Sequence, residues 1–248
     1  MGYSLSMPTD SLPVHRVLGL SPDTVDYRQA WDLQQRLHAD VVAQRSPGAV
    51  LFLEHTSVYT AGRRTRPEDL PDDGSDVVPV DRGGQLTWHG PGQLVCYPVV
   101  ALAHPAEVKD YVWFLEEVII LSLADHGVQA VRVEGRSGVW LRADARRPQD
   151  EKIAAVGLRV THGVTMHGFA LNCSNSLEPY THITACGIRD AGSTTLTREI
   201  RRTVAPADIL PDVRRHFSAL APAYLAPVTQ PLDEDSLVLT PLLEGTAL

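Results

Sequence analysis

Residues 152–173 read KIAAVGLRVTHGVTMHGFALNC. Two strand-like runs, 152–160 and 163–173, meet at Thr161-His162-Gly163. Two such runs on either side of a short glycine-containing turn predict a β-hairpin. Upstream, SGVWLRA (137–143) predicts a further strand that runs into a polar turn at 144–151. Residues 106–126 predict a helix, because Val108, Val112, Leu115, Ile119 and Leu123 recur at helical spacing. LVCYPVV (94–100) and AVLFLEH (49–55) predict buried strands. Residues 24–45 predict an amphipathic helix with Ala30, Leu33, Leu37 and Val41 inward, ending before Pro47-Gly48. Downstream, 174–195 predicts a loop region, and 205–219 a last helix opened by Pro206-Ala207-Asp208. Strands and helices mix without regular βαβ alternation, repeats or a central linker. The prediction is one α+β (mixed α/β) domain over 14–225, after a loose lead-in at 1–13. Residues 226–248, acidic and Pro-containing, predict a flexible tail.

Composition narrows the function. The chain has 248 residues, 44% hydrophobic and 21% charged, in the range of an ordinary globular protein. No apolar run is long enough to span a membrane, and MGYSLSMPTD lacks the basic and apolar regions of a signal peptide. The net charge of −8 argues against nucleic-acid binding. GRRTR (62–66), with Arg63, Arg64 and Arg66, is the best patch for an acidic partner; the alternative is a solvated loop. Three cysteines, Cys96, Cys173 and Cys186, have no zinc or disulfide spacing, and the histidines form no metal-binding pair. The expectation is a cytoplasmic protein with free thiols and no metal. Only two lysines, Lys109 and Lys152, stand against 20 arginines. A lysine in such a background suggests work that arginine cannot do, since lysine readily loses its proton when desolvated.

Residues 82–94, RGGQLTWHGPGQL, hold four glycines, Gly83, Gly84, Gly90 and Gly92, among Arg82, Gln85, Thr87, His89 and Gln93. Glycines admit positive φ or close approach of the backbone to a ligand. The polar side chains between them favour a ligand loop, and the bland alternative is a hairpin between strands. Of the thiols, Cys96 and Cys173 fall in apolar strand patterns, whereas Cys186 in HITACGI lies in a polar loop region suited to a nucleophile. Lys152 opens the hairpin. An ammonium beside a thiol favours the thiolate, and the lysine once neutral can accept a proton from an attacking amine. His89, His162 and His167 are the alternatives for the base.

Several ordered blocks resemble the lipoyl(octanoyl) transferases: LFLEHTSVYTAGRRT, RGGQLTWHGPGQLVCYP, KIAAVGLRVTHGVTMHGFALN and LEPYTHITACGI, within residues 24–200. The resemblance implies the fold of the biotin and lipoate protein ligase catalytic domains, with an apolar acyl tunnel beside the main sheet. It implies a Cys186/Lys152 dyad. Substrate-binding segments would fall on Arg82, Gly83, Gly84, Gln85, Leu86, Thr87, Trp88 and His89, on Ala155, Val156 and Gly157, and on Gly168, Phe169 and Ala170. The implied reaction moves an octanoyl group from acyl carrier protein, whose arm is phosphopantetheine, to a lysine of a lipoyl domain. Acceptors would be lipoyl domains of 2-oxoacid dehydrogenase subunits and the glycine cleavage H protein, with no ATP, metal or other cofactor. The chain departs from the family at Ala185, where proline is usual, at Trp88 for tyrosine, at Met166 for an aromatic residue and at Cys96 for glycine. These changes bear on loop rigidity and tunnel shape and remove no reacting atom. The competing readings are an ATP-dependent lipoate or biotin ligase, which has no use for Cys186, and a non-catalytic acyl-binding protein. A cysteine protease is disfavoured because the signature around Cys186 is absent.

Overall fold

The structure is a computed structural model and describes residues 12–241 except 146, 185, 186, 188 and 189. The main sheet has the order β1 (Val14–Gly19), β2 (Ala49–Leu53), β6 (Gln93–Val99), β10 (Val164–Asn172), β9 (Glu151–Thr161), β8 (Arg136–Leu141) and β7 (Val131–Val133). A short β11 (Gly192–Ser193) adds parallel to β9. A smaller sheet has the order β4 (Val77–Pro79), β3 (Val58–Ala61) and β5 (Leu86–His89). The α+β class is as expected.

Helix α1 (Tyr27–Val42) covers one face of the main sheet. The Asp26 carboxylate caps it, accepting from Arg28 N at 2.8 Å and Gln29 N at 3.1 Å. Its expected stripe of Ala30, Leu33, Leu37 and Val41 is buried against Leu51, Leu53, Val95, Val99 and Ala170. Helices α2 (Val108–Asp125) and α4 (Pro206–Leu220) cover the other face. There Phe114, Leu115, Ile119, Val213 and Phe217 pack on Val50, Phe52, Leu94 and Leu171. Strand β2 is therefore buried on both faces, which is why AVLFL is continuously apolar. On α2 the buried face includes Tyr111, Phe114 and Val118, while the predicted Val108 and Val112 are half-buried. The helix is apolar on most sides, so periodicity marks its face weakly.

The hairpin forms as expected. Val164 pairs with Thr161, and His162 and Gly163 both take positive φ, 53° and 76°, as a two-residue hairpin turn requires. Elements of two to five residues escape the sequence pattern: β7, β11 and α3 (Leu196–Ile200). The glycine loop is not a simple hairpin. Its middle is β5, which pairs with β3 in the small sheet, and the chain then turns at Gly90–Gly92 into β6 of the main sheet.

The segment at 226–241 corrects the expectation of a free tail. Leu237 is buried, and Leu232 and Leu239 pack on the α1 side of the core. Arg36 donates to Val238 O at 2.7 Å and to the Thr240 hydroxyl, and Gln29 donates to Thr240 O at 3.0 Å. Three spaced leucines anchor a stretch whose average composition is polar. Residues 1–11 and 242–248 lie outside the described residues.

Candidate active site

One side of the β9–β10 hairpin forms the floor of a cavity of about 540 Å³. Gly168 pairs with Gly157, and Ala170 with Ala155, so by the period of two these four small residues share a face. The lack of bulk there leaves the space. Val156 and Phe169, on the opposite parity, belong to the α2 side of the core and also line the cavity. The glycine loop is the roof: Gly83 N donates to Leu158 O at 3.0 Å, and a Cβ on Gly157 would stand 3.1 Å from Gly83 O.

Arg82 lines the cavity as a strut. Its guanidinium donates to Gln85 O at 2.8 Å, Gly83 O at 3.1 Å, and Thr60 O and Oγ1 at 2.8 Å each. This buried cation holds the loop's shape. Thr87 and His89 of β5 face the cavity with Gly84 and Gln85. Leu86 and Trp88, predicted to bind substrate, face the other way. They pack with Tyr59, and the Trp88 indole donates to Ser57 Oγ at 3.0 Å. Strand alternation sends every second residue of β5 away from the cavity.

Behind the loop lies a buried polar cluster that the sequence reading did not assemble. His89 Nδ1 donates to Gln93 Oε1 at 2.8 Å, Gln93 Nε2 to Asn172 Oδ1 at 2.9 Å, and Asn172 Nδ2 to Thr194 O at 3.1 Å. The chain of bonds ties the glycine loop to β10 and to the residue after β11. His55 Nδ1 donates to Val25 O at 2.9 Å, so its Nε2 accepts from the Tyr97 hydroxyl at 2.8 Å. Burial holds His55 down to about 4 and His89 well below the usual range. Both are neutral at pH 7. His167 takes φ 61°, donates Nε2–H to Asp81 at 2.8 Å and also lines the cavity. Burial lowers its pKa despite Asp81, while Asp81 is held at about 2, chiefly by the His167 bond. His162 sits in the hairpin turn and does not line the cavity.

These histidines set a pH dependence of folding. Outside the cavity, His15 is also held down, to about 4, by burial and then by Arg214. The unfolded chain takes up protons on His15 and His55 below pH 6.5 that the folded chain refuses until about pH 4. Stability is therefore complete above 6.5 and falls as pH drops through that window, by up to ~3 kcal/mol per histidine. Urea midpoints at about pH 7.5 and about pH 5 check this. The midpoint should fall at the lower pH, and a His55→Gln chain should show a smaller fall.

Lys152 lines the same cavity because of a β-bulge. Across β8, Val139 pairs with Ala154 but Trp140 pairs with Lys152, so Ile153 is an extra residue. Ile153 and Ala154 both enter the α2-side core, and Lys152 is turned onto the face of Ala155 and Gly157. Strict alternation would have put it on the other face. Its Nζ lies 4.7 Å from the centre of the Trp140 ring, a cation–π contact, and its Cε packs at 3.4 Å from a Cβ position on Gly138. On its other edge β9 meets β11: Ser193 pairs with Lys152, and Thr194 N donates to Lys152 O at 3.0 Å.

Cys186 lies outside the described residues. Its neighbour Gly187 lines the cavity, with φ 66° and Gln85 Oε1 only 2.1 Å from where a Cβ would be. Cys96 and Cys173 are buried, and burial raises their thiols, Cys173 to about 12. Neither is a nucleophile at neutral pH. Among the described residues no cluster of three or more His, Cys, Asp or Glu could hold a metal, and no helix is long and apolar enough to cross a membrane.

Residues 26–218 match the lipoyl protein ligase A/B catalytic domain. The chain is 56% identical over 200 residues to an octanoyltransferase of Renibacterium salmoninarum, covering 81% of this chain and 85% of that one. It is 55% identical over 219 residues to an octanoyltransferase of Clavibacter sepedonicus, covering 87% and 94%. The chain belongs to the lipoyl protein ligase A/B family. Within that family it sits with the octanoyltransferases, and it is an acyltransferase. The fold is shared with solved family structures. A lipoate-protein ligase A bound with ATP superposes with TM-score 0.62 at 13% identity, over 84% of this chain and 85% of that one. A bi-partite lipoate protein ligase from Thermoplasma acidophilum gives 0.62 at 14% identity, over 85% and 84%. The β9–β10 floor, the glycine loop and Lys152 thus meet in one cavity of this chain.

Proposed function

We propose that this enzyme transfers an octanoyl group from the thioester of acyl carrier protein to a lysine of a lipoyl domain, through an acyl thioester on Cys186. The observation that carries the reading is that Lys152 and Gly187, next in the chain to Cys186, line one cavity floored by small residues. The relatives named octanoyltransferases support the acyl group.

The Lys152 ammonium favours the Cys186 thiolate. The thiolate attacks the donor carbonyl; the carbon–sulfur bond to the carrier breaks, and the carrier thiolate leaves with the proton of Lys152. Now neutral, Lys152 accepts a proton as the acceptor amine attacks the acyl-enzyme. The amide forms, the Cys186 thiolate is released, and the ammonium is restored. Thioester exchange is close to balanced and amide formation is downhill, so the cycle needs no ATP. Acceptors on this reading are the lipoyl domains of 2-oxoacid dehydrogenase subunits and the glycine cleavage H protein, in the cytoplasm.

Intact-protein mass after mixing with octanoyl carrier protein, without ATP, tests the reading. The wild-type chain should gain one octanoyl group that neutral hydroxylamine removes, and Cys186→Ser should gain none. A folded wild-type chain that stays unmodified, yet lipoylates a domain when given ATP and free octanoate, would make it a ligase.

A further inference from the structure

The cavity mouth carries charge that the reaction centre does not use. Arg64 and Arg66 line it from the turn after β3, and Arg136 lines it from the start of β8. The chain as a whole has net charge −8, so three guanidiniums at one opening are a local reversal. Their charge is only partly neutralised. Arg64 has no ion-pair partner among the described residues; Glu68 is 3.8 Å from Arg66 with both side chains exposed, and Arg136 meets Asp190 at 2.6 Å. The turn is fastened to the glycine loop: Arg63 N donates to Arg82 O at 3.1 Å and Arg64 N to Gly84 O at 3.0 Å. Fixing the Arg64 backbone against the glycine loop reduces the entropy lost when its side chain binds an anion.

We propose that Arg64 and Arg66, with Arg136 on the same cavity lining, bind the phosphate of the acyl donor's phosphopantetheine arm. The inference rests on the function proposed above, with the thioester carbonyl inside the cavity near Lys152. One flexible chain joins that carbonyl to the phosphate, so an acyl group seated in the cavity leads its phosphate out through the mouth. Guanidinium forks match phosphate oxygens in pairs. The competing occupant is the acidic surface of the carrier protein. A basic rim on the cavity lining favours the arm, because the arm is the part of the donor that passes through the opening.

The test uses two inert thioethers, S-octyl-phosphopantetheine and S-octyl-pantetheine, which differ only in the phosphate. Titration calorimetry gives both Kd values for the full chain and for Arg64→Gln/Arg66→Gln. The wild-type chain should bind the phosphorylated compound about tenfold more tightly. That ratio should fall toward one in the double variant and shrink with added salt. A wild-type ratio near one overturns the proposal, as does a ratio unchanged in the double variant or failure to bind either compound. A variant weakened toward octanoyl carrier protein but not toward the phosphorylated thioether assigns the arginines to the carrier's surface, and also overturns it. Neither thioether can transfer an acyl group, so these outcomes are independent of turnover. Failure of the proposed reaction shows separately, as absence of the octanoyl adduct.

Discussion

Replacing Lys152 by methionine is expected to lower octanoyl transfer at neutral pH by about 10³-fold, with little loss of folding stability. Methionine keeps most of the stem that packs on Trp140 and Gly138. The lost cation–π contact is worth about 1 kcal/mol, small beside the stability of the domain. The kinetic loss has two parts that a second variant separates. On the proposed mechanism the ammonium is what favours the thiolate, and an ordinary thiol ionises only near about pH 8.5, so acyl-enzyme formation by Lys152→Met should recover as pH rises through that value. Lys152→Arg keeps a cation over the Trp140 ring but cannot give up its proton. It should still form the octanoyl adduct at neutral pH, the carrier thiolate then leaving unprotonated and taking its proton from water, and should pass the adduct to the lipoyl domain slowly. Single-turnover mass measurements of adduct formation and decay, from about pH 6.5 to about pH 9.5, read both steps. If Lys152→Met shows unchanged adduct formation across that range, the lysine has no part in activating the thiol.

Gly168→Ala, in the cavity floor, is expected to destabilise the fold by about 3 kcal/mol. A Cβ there would stand 2.2 Å from Cys96 O and 2.8 Å from Pro98 Cδ. Both belong to β6, the neighbouring strand at the centre of the sheet, so relief requires moving the β6–β10 pairing itself. Gly127→Ala is the control. Gly127 has φ 76° with nothing within 4 Å of a Cβ, so only the backbone conformation resists substitution, at about 1 kcal/mol. Urea denaturation of the two variants compares contact with conformation. Equal losses would mean that β6 gives way to the methyl group easily.

Much of the frame was legible from residues 152–173 outward. The hairpin, the buried β2 and β6 and the inward stripe of α1 are local patterns, set by side-chain period and turn chemistry. The glycine loop, Lys152 and the Ala155–Gly157 and Gly168–Ala170 segments were also legible as blocks, through their resemblance to a family. That the side chains of Leu86 and Trp88 turn away from the cavity was not legible, because a block match is silent about which way alternate residues of β5 point. The docking of residues 226–241 was hidden by averaging, since three leucines decide it within a polar stretch.

The sequence alone determined the α+β class, most of the elements and which chemistry-bearing residues the chain possesses. Tertiary structure decided which of them meet. Lys152 reaches the cavity because Ile153 is an extra residue opposite β8, and among the described residues the two-residue β11 and Thr194 lie beside it. The neutral His55 and His89 likewise follow from burial by elements far apart in the chain. A bulge, a two-residue strand and a desolvated imidazole all depend on contacts between distant segments. Those contacts have no local period, and they settle which face of a strand a side chain occupies and which protonation state it holds.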